Sequence, residues 1–359
     1  MFDNDHLPPA GDGDGMPYAQ EPVRYEPEFT GRAGEFFGIW FVNLILSILT
    51  LGIYSAWAKV RTERYFYGNT RLAGAAFEYF ASPIAILKGR LIAYAVVAVL
   101  VISSRFAPGL YMVLAALVGL AMPAIIVFGM RFRARYSAWR GVGFRFVEGP
   151  ADAYGPFLGW PILSMLTLSA LYPLAKRRQH EFVAEGHMYG GRRFRFQGQM
   201  GSYYKPYALA LMTGIGAFVL LIVGMGAVAG FADGLDPAKA VVAILLPFYL
   251  GMFALGVYLK VRYTNLLWNN VSVDGHRFIS SLRVRDLSWI YASNIVAIIV
   301  TLGLAVPWAM VRLARYRAAR FSLLVSGDLD DFRAGAEQGR RAVGAELVEA
   351  LDAGIDFGI

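Results

Sequence analysis

Along the 359-residue chain, long uncharged apolar runs alternate with shorter linkers crowded with cations. Seven runs stand out, at 38–58, 84–104, 109–130, 154–175, 206–232, 240–259 and 287–311. Most are near the ~20 residues that a helix needs to cross the hydrocarbon of a bilayer. Their apolar positions do not follow the amphipathic spacing of a soluble helix, so they predict helices surrounded by lipid. The second run is the weakest, because Lys88 and Arg90 must snorkel to the headgroups at its start.

The linkers 59–90, 131–153, 176–205 and 260–286 hold most of the cations, starting with pairs and triplets such as Lys59/Arg61 and Lys176/Arg177/Arg178. The links 105–108 and 233–239 are short and carry one cation each, Arg105 and Lys239. Cytoplasmic flanks collect Lys and Arg, so these two links predict the outer turns of spanning hairpins. Runs one, four and seven then have a cytoplasm-favouring flank on both sides. Either they cross fully against the charge bias, or they enter and leave on one side as broken elements. The bias leans toward re-entry. Each of the three carries a break at an equivalent place: Thr50-Leu-Gly52, Thr167-Leu-Ser169 before Pro173, and Thr301-Leu-Gly303 before Pro307. Broken backbone at membrane depth must be covered by protein or water.

The equivalence extends to an internal repeat. Residues 43–65 and 294–316 share eleven identities in 23 positions, among them Asn43/Asn294, Trp57/Trp308, Arg61/Arg312, Arg64/Arg315 and Tyr65/Tyr316. Apolar helices match by chance at Leu and Val, not at Asn, Trp, Arg and Tyr. The basic linkers also recur, each with an aromatic and a short alternating stretch such as Phe194-Arg-Phe196, and Asp274-Gly275 marks a hairpin turn. These stretches predict small β-hairpins at the cytoplasmic surface. The expected fold is an all-α integral membrane protein with about seven helical segments in an internal repeat. Its divisions are a disordered tail (1–35), repeat one (36–151), repeat two (152–286), a closing membrane element (287–320) and an acidic C-terminal tail (321–359).

Composition agrees with this reading. Hydrophobic residues make up 57% and charged residues 17% of the chain, against roughly 45–50% and about 25% in soluble domains. The net charge of +8 could serve nucleic acid, but the flanking cations already satisfy the topology rule, so no nucleic-acid partner is expected. With no cysteine there is no thiolate nucleophile, disulfide or Cys-ligated metal. The acidic start, with Gly and Pro throughout, is not a signal peptide. From Asp328 onward eight acids face three cations, and a cytoplasmic position is expected for this tail.

The blocks Gly38-Ile-Trp40-Phe-Val-Asn43, Thr50-Leu-Gly52-Ile-Tyr54-Ser-Ala-Trp57-Ala-Lys59-Val-Arg61 and Arg64-Tyr65-Phe-Tyr67-Gly-Asn69 carry a resemblance, with Leu87-Lys-Gly-Arg90 and the closing Asp352 to Ile359. Through them the chain, over about 29–359, resembles the YjgN family of bacterial inner-membrane proteins, a domain family of unknown function. The resemblance implies an inner-membrane protein and no reaction.

Enzymatic signatures are absent: there is no phosphate loop, nucleophile elbow or H-E-x-x-H motif. His180, Glu181, Glu185 and His187 could supply metal ligands, but a solvated charged linker explains them as well, and no metal or cofactor is expected. No ionisable residue lies in the centre of a run, which counts against a carboxylate-driven carrier. The polar intramembrane residues Asn43 and Asn294 predict inter-helix hydrogen bonds, or the flanks of a polar pathway. The candidate binding site is the cation–aromatic cluster of Trp57, Lys59, Arg61, Arg64, Tyr65 and Tyr67, with Trp308, Arg312, Arg315 and Tyr316. Arg beside Tyr and Trp at headgroup level suits an anionic lipid phosphate. The expected function is thus a non-enzymatic, multi-pass inner-membrane protein. Its basic cytoplasmic face engages anionic phospholipid or a partner protein, and a transporter or channel built on the broken helices is the alternative.

Overall fold

The computed structural model describes residues 22–231 and 236–327, with 329, 330, 332, 333 and 335. Much of the stretch expected to be a disordered tail, residues 1–21, lies outside them, as does the final segment from 336. The described chain is a series of helical hairpins that all start and finish on one sheet. The pairs are α1 (Ala33–Leu49) with α2 (Ser55–Gly68), α3 (Pro83–Phe106) with α4 (Pro108–Arg135), and α5 (Trp160–Leu166) with α6 (Tyr172–Gly186). They continue with α7 (Met200–Phe231) and α8 (Pro237–Asn269), then α9 (Val284–Val300) and α10 (Val306–Ala319).

One backbone hydrogen bond closes the base of every pair: Thr30 N–H to Asn69 O, Phe80 to Tyr136, Val147 to Gly186, Gln197 to Asn270, and Ser281 to Arg320, all at 2.8–2.9 Å. Both ends of each hairpin therefore sit at the sheet and its apex points away.

Among the described residues, only α3, α4, α7 and α8 are long and apolar enough to cross a membrane, and at most 11% of their most apolar stretches is buried by protein. The expectation of an all-α protein with about seven membrane helices is therefore corrected on two counts. Four helices qualify as spans, and the linker hairpins join into one eleven-stranded sheet. The physical reason for the first is the turn that breaks runs one, four and seven. Leu51, Leu168 and Leu302 all adopt φ 49°, followed by Gly52 (89°), Ser169 (69°) and Gly303 (96°). No helix continues through two successive left-handed residues.

The same threonine satisfies the backbone at each break. Thr50 Oγ1 donates to Leu46 O (2.7 Å) and accepts from Tyr54 N–H (2.9 Å). Thr301 does likewise with Ala297 O (2.7 Å) and Ala305 N–H (2.9 Å), and Thr167 with Leu163 O (2.8 Å) and Leu171 N–H (3.3 Å). The apical leucines are 90–95% exposed.

The second correction arises because an isolated hairpin has two unpaired edges, which neighbouring hairpins satisfy. The strands are β1 (Val23–Tyr25), β2 (Glu28–Phe29), β3 (Thr70–Leu72), β4 (Ala75–Tyr79), β5 (Ser137–Trp139) and β6 (Val142–Phe146). After these come β7 (His187–Tyr189), β8 (Arg192–Phe196), β9 (Val271–Val273), β10 (His276–Ser280) and β11 (Phe321–Val325). All pairings are antiparallel, in the order β1-β11-β10-β9-β8-β7-β6-β5-β4-β3-β2. The two end strands are thus consecutive in the chain, joined by Glu26 and Pro27. Eleven flat strands would span about 48 Å, whereas the link from Tyr25 to Glu28 reaches about 11 Å. The sheet must curl round until its ends meet.

Register gives the ring its core. Phe77 faces Trp139, Phe144 faces Tyr189, Phe194 faces Val273, and Leu323 lies between Phe278 and Tyr25. With Leu72 these side chains form one apolar cluster inside the ring. Leu329 and Phe332, from the segment expected to be an acidic tail, are buried in the same cluster. Phe332 stacks on Tyr189 at 5.2 Å, meets His276 edge-on at 4.5 Å, and is flanked by an Asp330–Arg140 ion pair at 3.1 Å. Part of that tail therefore docks on the basic linkers.

Candidate lipid-facing site

The second copy of the cation–aromatic cluster lies on α10, where helix spacing places Trp308, Arg312, Arg315 and Tyr316 on one face. Together with Ala33, Ile290, Val311 and Ala319 they line a groove of about 330 Å³. Arg312 carries its guanidinium 5.1 Å above the Trp308 ring, and its Nη1 donates to Ser293 Oγ (2.6 Å) and Asn294 Oδ1 (3.1 Å). Asn294 is buried and its amide donates to Ala309 O at 3.4 Å. Tyr316 accepts from Arg283 N–H at 2.9 Å and donates to Arg283 O at 3.3 Å, which anchors the start of α9. Arg315 is exposed and donates to Gly31 O at 3.2 Å.

The first copy reproduces these contacts in part. Arg61 Nη1 donates to Asn43 Oδ1 at 3.4 Å and to the Tyr54 hydroxyl at 3.1 Å. Tyr65 holds both backbone groups of Arg32, at 2.8 and 2.9 Å, just as Tyr316 holds Arg283. Tyr65 and Arg315 therefore grip consecutive residues, Arg32 and Gly31, from the α2 and α10 sides of α1. Arg64 is exposed. Three expected members face elsewhere: Trp57 stacks on Tyr54 at 6.1 Å, Lys59 pairs with Glu63, and Tyr67 packs on Tyr79 at 5.2 Å. The structure thus gives the cluster backbone-holding residues, Tyr65, Tyr316 and Arg315, and exposed cations, Arg64 and again Arg315, which is exposed while it bonds Gly31 O.

Sequence reasoning missed Ser293, which holds Arg312. The repeat offers no signal for it, because Val42 stands at the matching position of the first copy. The residues weighed as metal ligands are spread over separate partners. His180 Nδ1 lies 2.7 Å from the Tyr203 hydroxyl, His187 Nδ1 lies 2.6 Å from Val183 O, and Glu181 is held by Arg177 and Arg178 at 3.2 and 2.9 Å. Burial, with nearby Lys176 adding to it, pushes His180 down to about 3, so it is a neutral hydrogen-bonding group.

Comparison with known proteins places this geometry in context. The family described as "Bacterial protein of unknown function (DUF898)" matches residues 24–350. A curated relative, the inner membrane protein YjgN of Salmonella typhimurium (strain LT2), is 28% identical over 351 residues, covering 84% of this chain and 88% of the relative. The protein of the same name from Escherichia coli (strain K12) is 23% identical over 329 residues, covering 89% of this chain and 68% of the relative. No solved structure matches.

Proposed function

This chain belongs to the DUF898 family of bacterial proteins, and from that premise we propose that it is a multi-pass inner-membrane protein whose basic sheet-side face binds anionic phospholipid. The four apolar helices and the inner-membrane relatives support the membrane placement. The sheet lies on the cytoplasmic side in this reading. Arg133, Arg135, Lys260 and Arg262 lie toward the sheet ends of the helices, whereas Arg105 lies at an apex. The Thr-Leu-Gly breaks at Thr50 and Thr301, with identical φ at the leucine and matching threonine bonds, support an internal repeat.

The α10 groove carries the lipid reading. It offers an exposed guanidinium at Arg315, a second above Trp308, and an apolar floor of Val311 and Ile290. A phosphate oxygen accepts from arginine while an acyl chain lies along the apolar wall. Binding of this sort involves no chemistry, so the protein is taken as non-enzymatic. Conduction finds less support, since nine buried apolar side chains pack across the ring.

The test replaces Arg64 and Arg315, the outward cations of the two copies, with Gln. Quenching of tryptophan fluorescence by brominated phosphatidylglycerol, relative to brominated phosphatidylcholine, should fall several-fold in the double variant. An unchanged ratio overturns the proposal.

A further inference from the structure

A second cavity lies away from that groove, on the outer face of the ring. It measures about 630 Å³ and is lined by Arg192, Arg193, Arg195, Gln197, Asn269 and Arg277 among others. Alternation puts Phe194 and Phe196 of β8 into the core and Arg193 and Arg195 on the outside. Two of the four arginines are occupied: Arg192 pairs with Asp274 at 3.2 Å, and Arg193 pairs with Glu148 and donates to Glu185 O. Arg195 and Arg277 are exposed and have no ion pair with an acid among the described residues.

Register gives this remaining pair a common target. Arg195 faces Ser272, and Ser272 faces Arg277, so the three side chains stand in one row across β8, β9 and β10. Adjacent strands are about 4.8 Å apart, so the two arginine Cα atoms are separated by roughly 10 Å. At that spacing both guanidiniums can converge above the serine hydroxyl. The amide side chains of Gln197 and Asn269 close the end of the cavity nearest the helices. Two guanidiniums flanking a hydroxyl donor match the several acceptor oxygens of a phosphate, and arginine is the side chain suited to bidentate phosphate contact.

We propose that Arg195, Ser272 and Arg277 form a second anion site that clamps a phosphate group. The cavity runs from the hairpin tips at Gly191 and Gly275 to the base of the α7–α8 pair at Gln197 and Asn269. A soluble phosphate ester enters from the tip end, and a lipid headgroup reaches it from the base. The site is independent of the α10 groove and stands whether or not that groove binds lipid.

The experiment uses the full chain and the variant Arg195→Gln/Arg277→Gln, with Ser272→Ala as a milder change and Arg285→Gln as control. Calorimetric titration with inorganic pyrophosphate should give binding that weakens roughly tenfold or more in the double variant. It should weaken less in Ser272→Ala and stay unchanged in Arg285→Gln. That outcome assigns the clamp to a soluble phosphate. If pyrophosphate does not bind, nanodiscs of phosphatidylcholine with and without phosphatidylglycerol provide the second arm. Stabilisation by phosphatidylglycerol that is smaller in the double variant assigns the clamp to a headgroup. Equal behaviour of wild type and double variant in both arms overturns the proposal. The replaced arginines are exposed and Ser272 is half-buried, and a matching unfolding temperature in phosphatidylcholine shows that the variants fold.

Discussion

Arg312 donates its Nη1 to the side-chain oxygen of Asn294 at 3.1 Å, joining α10 to α9 in the same way that Arg61 reaches Asn43 between α2 and α1. The two bonds are not equal. Asn294 also donates its amide to Ala309 O, while the buried Nδ2 of Asn43 has no partner among the described residues. Asn294→Leu is therefore expected to destabilise by about 1–3 kcal/mol, because it removes a satisfied buried amide and leaves Arg312 short of an acceptor. Asn43→Leu should be milder. Thermal unfolding in detergent checks the order, and a larger loss for Asn43→Leu contradicts it.

The break between α5 and α6 has Ser169 at φ 69°, where the other two breaks carry glycine. Ser169→Gly removes a left-handed side chain and should stabilise by about 1 kcal/mol. Gly303→Ala, at φ 96°, should destabilise by a similar amount or more. Opposite shifts in unfolding temperature are the expected readout.

His180 supplies a pH dependence. Burial first, then Lys176, holds its folded value near 3, below the ordinary 6.5. The unfolded chain takes up the proton near 6.5, so the stability contributed by the neutral form is complete above that pH. It is lost as pH falls toward 3, at up to about 1.4 kcal/mol per unit. His187 and His276, also lowered by burial, add to the slope. Between pH 7 and pH 4.5 the unfolding temperature should drop, and drop less in His180→Gln. An identical slope in both removes His180 from the account.

Phe332 fills the mouth of the ring between Tyr189 and His276. Phe332→Ala should cost about 3 kcal/mol locally and expose the following chain to protease. Cleavage after residue 327 that is no faster than in wild type speaks against docking.

The absence of native cysteine permits a direct topology test. A cysteine placed at Gly74 or Gly275, on hairpin tips, should react with a membrane-impermeant reagent only in inside-out vesicles. One placed at Arg105 should react only in right-side-out cells.

Much of this architecture was legible in the chain. The turn between α3 and α4 beside Arg105 and the three Thr-Leu-Gly or Thr-Leu-Ser breaks could be read from charge and repetition. Whether those breaks return the chain to its starting side could not. That depends on bonds such as Thr30 to Asn69, which no local pattern records. The sheet was hidden for a related reason: a five-residue stretch such as Val142–Phe146 announces a hairpin, but its partner Tyr189 arrives only after an intervening helical pair. In the candidate site, helix spacing grouped Trp308 with Arg312. It gave no sign that Tyr65 and Tyr316 turn inward to the backbone of Arg32 and Arg283.

Because Val23 pairs with Val325, the earliest strand to leave the ribosome has no mate until nearly the whole polypeptide has been made. At bacterial elongation rates that wait is on the order of 15–60 s. All five helical hairpins, two of them long and apolar enough to span, have to be made during it, with the growing sheet still open at one margin. Final closure is therefore a late event in biogenesis, and a transcript truncated before the codon for Phe321 yields a product that presents an unsatisfied β-edge to the cell's quality-control proteases.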